Sequence, residues 1–194
     1  MSDAHFSLSV KLRLRMDVNC PSDMCGTAAL TDKTGGAVVR RHDRLRDTLA
    51  QILESGTGRP TQTEQVVPAW CTEQRDARLD IAYTDDNAYV IHVDVAVVHS
   101  LRSSNAKKAP ALRDGYTCAV EETNKRRLYP GGRLTPTVFE THGRCGDAMA
   151  AMLRSVYRGL PPDERASALG SSWQTLSCTL QRGNAEILLS ACPP

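Results

Sequence analysis

Two aspartates set among aliphatic residues are the most chemically suggestive feature of the chain. Asp94 interrupts the run Tyr89-Val-Ile-His-Val-Asp-Val-Ala-Val-Val98, and Asp80 interrupts Arg78-Leu-Asp-Ile-Ala-Tyr83. Side chains alternate across a strand, so Ile91, Val93, Val95 and Val97 share an apolar face, while Val90, His92, Asp94 and Ala96 line the other. An unpaired carboxylate in such surroundings is costly and tends to protonate. Asp94 therefore needs a basic partner, a set of hydrogen bonds or a metal ion. Asp80 also leaves the apolar face set by Leu79 and Ile81, and Glu64, in Thr63-Glu-Gln-Val-Val67, is a third acid near the same sheet. Three converging carboxylates repel each other unless a cation sits between them, and hard oxygen donors favour Mg²⁺ or Mn²⁺ over zinc. Such an ion activates water and stabilises charge on a phosphate under attack. The alternative use of the same acids is ion pairing with Arg78, Lys125 or Arg126. Two acids on adjacent strands, each flanked by aliphatics, favour a site.

The elements that would position these acids follow from periodicity. Residues 37–54 read as an amphipathic helix, with Val38, Leu45, Leu49, Ile52 and Leu53 inward and Gly56 as the stop signal. Arg40, Arg41, Arg44 and Arg46 fall on its outer face, which is either simply solvated or in contact with phosphates. Residues 63–67, 78–83 and 89–98 read as strands, the last two joined by the turn Thr84-Asp-Asp-Asn87. Residues 107–129 offer a helix in two parts, closed by Pro130-Gly-Gly132. A strand over 134–140 follows, then a helix over 147–160 capped by Asp147. Beyond Pro161-Pro162 the pattern predicts a short helix over 163–169 and a longer one over 173–191. The first 36 residues look irregular apart from a short strand over 7–14, where apolar residues alternate. The order is helix, three strands, helix, strand, helices: a mixed α/β domain with a central sheet covered by helices. The expected division is an irregular segment 1–36, a core 37–160 and a helical extension 161–194.

A length of 194 residues suits one domain, and 41% hydrophobic residues with 5% aromatics suit an aliphatic core. The net charge of +2 does not by itself argue for nucleic acid, so any such case rests on local clustering. No apolar run approaches the roughly 20 residues that span a bilayer. Asp3, Lys11, Arg13 and Arg15 interrupt the apolar stretch a signal peptide needs. The seven cysteines are odd in number and scattered, which predicts free thiols in a soluble, intracellular protein.

The order and spacing of several motifs resemble a known nuclease family. Arg-Leu-Asp80, thirteen residues, then Val-Asp94-Val-Ala-Val-Val is similar to the PD-(D/E)xK motif in its restriction-like form, at the C-terminal end of non-LTR retrotransposon polyproteins. Gly35-Gly-Ala-Val-Val-Arg-Arg-His-Asp-Arg-Leu-Arg-Asp47 resembles the opening segment of that domain, and Asn124-Lys-Arg-Arg-Leu-Tyr129 its Lys-and-Tyr motif. Pro136-Thr-Val-Phe-Glu-Thr-His-Gly-Arg144 and residues 173–184 resemble its last strand and terminal helix. The match covers about residues 35–189. Leu79 stands in place of the family's proline. Ala96 stands where most restriction-type nucleases carry a lysine, a role that the retrotransposon version gives to the following helix and so to Lys125.

The resemblance implies a restriction-endonuclease-like mixed sheet flanked by helices, and metal-dependent cleavage of DNA with Mg²⁺ or Mn²⁺. Asp80, Asp94 and Glu64 would form the carboxylate set, the Val95 carbonyl a further ligand, and Lys125 would orient water or stabilise charge on the phosphate. Tyr129, one turn after Lys125, would position that lysine or the substrate, or serve the core. Arg40, Arg41, Arg44, Lys107, Lys108, Arg126 and Arg127 are the candidate DNA-backbone contacts. Cys20 and Cys25 resemble the first pair of the family's zinc knuckle, but no His/Cys pair follows before Gly35, so that knuckle is degenerate. Nuclear residence follows from the resemblance alone. The competing readings are a catalytically inactive, truncated remnant that at most binds DNA, and a partner-binding domain using an apolar face over 173–189.

Overall fold

The computed structural model describes residues 2–20, 23, 26–100 and 114–191. Cys25, Lys107 and Lys108 lie outside the described residues. The chain forms helices α1 (Asp3–Arg13), α2 (Thr27–Thr31) and α3 (Ala37–Thr57), then strands β1 (Gln62–Val66), β2 (Arg78–Thr84) and β3 (Val90–Val98). Helix α4 (Tyr116–Leu128), strand β4 (Leu134–Glu140) and helices α5 (Asp147–Val156) and α6 (Pro162–Ala191) follow. The sheet order is β1-β2-β3-β4, antiparallel for the first two pairs and parallel between β3 and β4. A parallel pair needs a long crossover, and α4 lies within it.

The protein is thus a mixed α/β fold with a four-stranded mixed sheet flanked by helices. Its main core joins Leu45, Leu49 and Leu53 of α3 to Ile81, Val93, Val95 and Phe139 of the sheet, with Met149 and Leu153 of α5 and Leu176 and Leu180 of α6. The alternation read from β3 holds: Val93 and Val95 enter this core, whereas Ala96 packs with Val98, Val138 and Cys118 of α4.

Several expected boundaries are corrected. Residues 7–14 are helical, not a strand, and the Ser2 hydroxyl accepts the His5 amide at 3.5 Å to open α1. Alternating apolar residues also contain i, i+4 pairs: Leu8 and Leu12 pack inward while Phe6, Val10 and Leu14 stay exposed. The N-terminal segment is therefore not irregular. Its Leu12, Val18, Ala29 and Leu30 bury Ile187 and Leu188 at the far end of α6. Both Asp23 oxygens accept amides of α2, from Thr27 at 2.8 Å and Ala28 at 2.7 Å. Cys71, Cys118, Cys145 and Cys178 are free thiols as expected, but Cys20 is disulfide-bonded, and an oxidised sulfur offers zinc no thiolate.

Helix α3 runs through Gly56 because Val156 and Tyr157 press against that residue; a β-carbon there would lie 2.4 Å from Val156 Cγ1. Gly58, in the left-handed region at φ 64°, closes the helix instead. Asp147 does not cap α5. Glu122 of α4 does, accepting the Ala148 amide at 3.1 Å, and α5 stops at Val156. The two C-terminal helices expected from Gly170 are one, since Leu169 and Trp173 on either side pack on the same core. Among the described residues no helix is long and apolar enough to cross a membrane.

Candidate active site

The β2–β3 ladder ends at the pair Ile81–Val93, and the next residue on each strand is an acid, Asp80 and Asp94. Past that pair, the Val95 amide donates to Asp80 Oδ2 at 2.6 Å instead of to the neighbouring backbone. Two cations close on the acids from different helices. Lys125 of α4 places Nζ 2.9 Å from Asp94 Oδ1 and 2.8 Å from Oδ2. His42 of α3 places Nε2 3.4 Å from Asp80 Oδ2 and 3.2 Å from the Val95 carbonyl oxygen, with Nδ1 3.3 Å from Asp43. The Asp94 side chain is 8% exposed and that of Asp80 13%, so both acids are largely out of water.

The two carboxylates are electrostatically unlike. Burial, then the nearby negative charge of Asp80, raise the Asp94 carboxyl above its ordinary range against the pull of Lys125. Burial alone would also raise Asp80, but the His42 hydrogen bond and charge, the Val95 amide and Lys125 hold it below that range. The hydrogen bond to Asp80 lifts His42 to about 9, despite burial. For Lys125, burial is outweighed by Asp94, and its ammonium is held above the ordinary value. One neighbouring pair thus contains a firmly ionised acid and one whose charge is costly unless a cation is present.

The structure brings Asp80, Asp94 and Lys125 together but leaves Glu64 out of the set. Glu64 sits in β1 with φ 56°, and its carboxylate is taken by Arg46 and by Arg78, whose Nη1 is 3.7 Å away. Among the described residues no group of three His, Cys, Asp or Glu side chains is arranged to hold a metal. Glu64 combines a left-handed backbone with a carboxylate already engaged by two arginines.

The arginines divide. Arg40, Arg44, Arg126 and Arg127 are at the surface, Arg44 paired with Glu186 and Arg126 with Glu122 at 3.6 Å. Arg41 is 2% exposed and cannot reach a phosphate. It precedes Leu45 and Leu49 by four and eight residues and so lies on the buried stripe of α3. Its guanidinium donates to Asn184 Oδ1 at 2.8 Å and to the Leu30 carbonyl at 3.3 Å, and burial lowers it to about 10. Tyr129 belongs to the core: it is buried against Trp70, ring centroids 5.4 Å apart, with Arg75 over its other side at 5.0 Å.

His42 at Asp80 was missed, and Arg46 and Arg78, expected at the surface or on the aspartates, pair with Glu64 instead. His42 precedes Leu45 and Leu49 by three and seven residues, a spacing that announces an inward-facing side chain. Arg46 is one turn further along the same side of α3. A cavity of about 490 Å³ lies elsewhere, between α4 and the loop before α5, lined by Cys118, Glu122, Arg127 and Arg144. It is remote from the acid pair in both lining and chemistry. No protein-family model matches the chain, and no curated protein is similar to it in sequence.

Proposed function

We propose that the chain is a metal-dependent DNA endonuclease of the restriction-like PD-(D/E)xK type, similar to the nucleases of non-LTR retrotransposon polyproteins. The observation that carries this reading is the meeting of Lys125 with Asp94 beside Asp80. An ammonium from the crossover helix pairs with one of two acids that follow each other on neighbouring strands at the point where their ladder ends. Asp80, Asp94 and the Val95 carbonyl are hard oxygen donors at one spot, a set suited to Mg²⁺ or Mn²⁺. The bound ion would supply an activated water and neutralise charge on the phosphate. Lys125 keeps Asp94 ionised and carries the positive charge that stabilises a phosphoryl oxygen as the bond breaks. The Val95 amide fixes the Asp80 carboxylate, and His42 orients it from the α3 side. Arg40, Arg44, Arg126 and Arg127 contact the DNA backbone without reading sequence. The protein would then work in the nucleus.

The test is nicking of supercoiled plasmid by the purified chain with Mg²⁺ or Mn²⁺, beside Asp94→Ala. Metal-dependent nicking lost in the variant supports the reading; equal nicking by both overturns it. One observation favours an inactive remnant: each acid already has a cation from the protein, His42 for Asp80 and Lys125 for Asp94. A remnant held by those pairs alone would show no thermal stabilisation by Mn²⁺, whereas a working site is stabilised by ligand linkage.

A further inference from the structure

The cross-strand position of Glu64 gives its unexpected partners a use. Thr63 pairs with Ile81 and Gln65 with Leu79, so Glu64 lies across β1–β2 from Asp80. Its two carboxylate oxygens are shared out, Oε1 to Arg46 and Oε2 to Arg78. Two guanidinia converging on an O–C–O group match the two non-bridging oxygens of a phosphodiester, the geometry for which arginine is best suited.

Both arginines are tied to the proposed cleavage centre by the fold. Arg78 is two residues before Asp80 on β2 and shares its face of the strand. Arg46 is four residues after His42 on α3, one helical turn beyond the residue that touches Asp80. Asp47 holds Arg46 Nε at 2.8 Å, which fixes the fork, and Nη1 meets Glu64 with Asp43 Oδ1 3.4 Å away. Arg78 is 61% exposed and Glu64 42%, whereas Arg46 is 15% exposed, so the clamp opens to solvent on its Arg78 side. Glu64 holds this position in a left-handed backbone (φ 56°), which is strained for a non-glycine residue, the kind of strain that collects at ligand clamps.

We infer that Arg46 and Arg78 form a clamp for a DNA backbone phosphate beside the cleavage centre, and that Glu64 occupies the clamp until DNA displaces it. The inference rests on the nuclease reading for its location, but its own content is binding. Glu64 is then a competitor of the substrate and not a member of the metal set.

Anisotropy of a fluorescein-labelled DNA duplex in EDTA, where no strand can be cut, tests this directly. Glu64→Gln should tighten binding by about two- to fivefold, the range open to an exposed ion pair. Arg46→Gln/Arg78→Gln should weaken it and reduce the slope of log affinity against log salt by about 0.9, the value for one lost phosphate contact. The gain from Glu64→Gln should vanish in the Arg46→Gln/Arg78→Gln background. The same gain in that background would mean diffuse electrostatics, and no gain in either would mean an inert surface pair; both outcomes overturn the clamp. Thermal melts of each variant confirm folding. Clamp behaviour as expected with no nicking under any metal would leave the clamp standing and remove the nuclease reading. Failure of the wild-type chain to bind the duplex would remove both.

Discussion

Two regions of this molecule bury charge, and they do so in opposite ways. At the end of the β2–β3 ladder, Asp80 and Asp94 sit side by side with His42 and Lys125 as opposite charges, and all four keep some exposure. One residue before His42 on the same helix, but turned inward, Arg41 is buried outright and held by neutral acceptors, Asn184 and the Leu30 carbonyl. Asn184 in turn donates to the Thr141 carbonyl at 2.8 Å, so a network of polar groups joins α3, α6, the N-terminal segment and the loop after β4. Burial of charge alone therefore does not mark a site. What separates the two regions is like charges placed together within reach of solvent, which a purely structural network has no reason to do.

The comparison can be broken by exchanging the expected effects. Asp94→Ala should reduce nicking by about a thousandfold, since metal and lysine both lose their anchor, while the fold survives. Plasmid assays beside circular dichroism check this. Arg41→Ala should instead destabilise by about 3 kcal/mol, by leaving buried acceptors unsatisfied, and leave the rate per folded molecule intact. Urea titration reads the first quantity; loss of DNA binding by folded Arg41→Ala would dissolve the distinction. Lys125→Met should slow nicking by about a hundredfold and also lower stability without metal, because Asp94 is left without its ammonium.

Smaller effects sharpen the structural side. Burial, and then the nearness of His142, depress His99 to about 4 from its ordinary 6.5. A group depressed on folding contributes stability above its unfolded value and loses it as pH falls, here from 6.5 toward 4. Urea midpoints of His99→Gln should fall less over that interval than those of the native chain. Arg44→Ala, which breaks only a half-exposed pair with Glu186, should change stability by less than about 1 kcal/mol.

The acids were legible because burial on a strand leaves a period-two record, and a carboxylate breaking that record must be explained; Lys125, on a helix, was singled out by the family resemblance and not by periodicity. The sheet was legible for the same reason: β2 and β3 fall within a residue of their expected ends. Where two periods coincide the sequence is ambiguous. Apolar residues at every second position over 6–14 satisfy a strand, yet Leu8 and Leu12 also satisfy a helix, and packing on α6 decides. Arg41 was assigned to the surface by residue type, although its spacing to Leu45 and Leu49 already put it inside. Glu64 could not have been placed, because a left-handed backbone on a glutamate leaves no trace in composition. The continuity of α6 through Gly170 was hidden likewise, since a glycine reads as a break until the residues on either side are seen to share one core.

Helix α6 also sets an order in time. Ser9 of α1 donates to the Gln181 carbonyl, 172 positions along the chain, and Leu12 meets Ile187 and Leu188. During synthesis α1 must wait, its apolar side uncovered, until α6 has left the ribosome. Contacts of such long separation form slowly. Until then the apolar side of α1 is a surface that a chaperone would be useful in shielding.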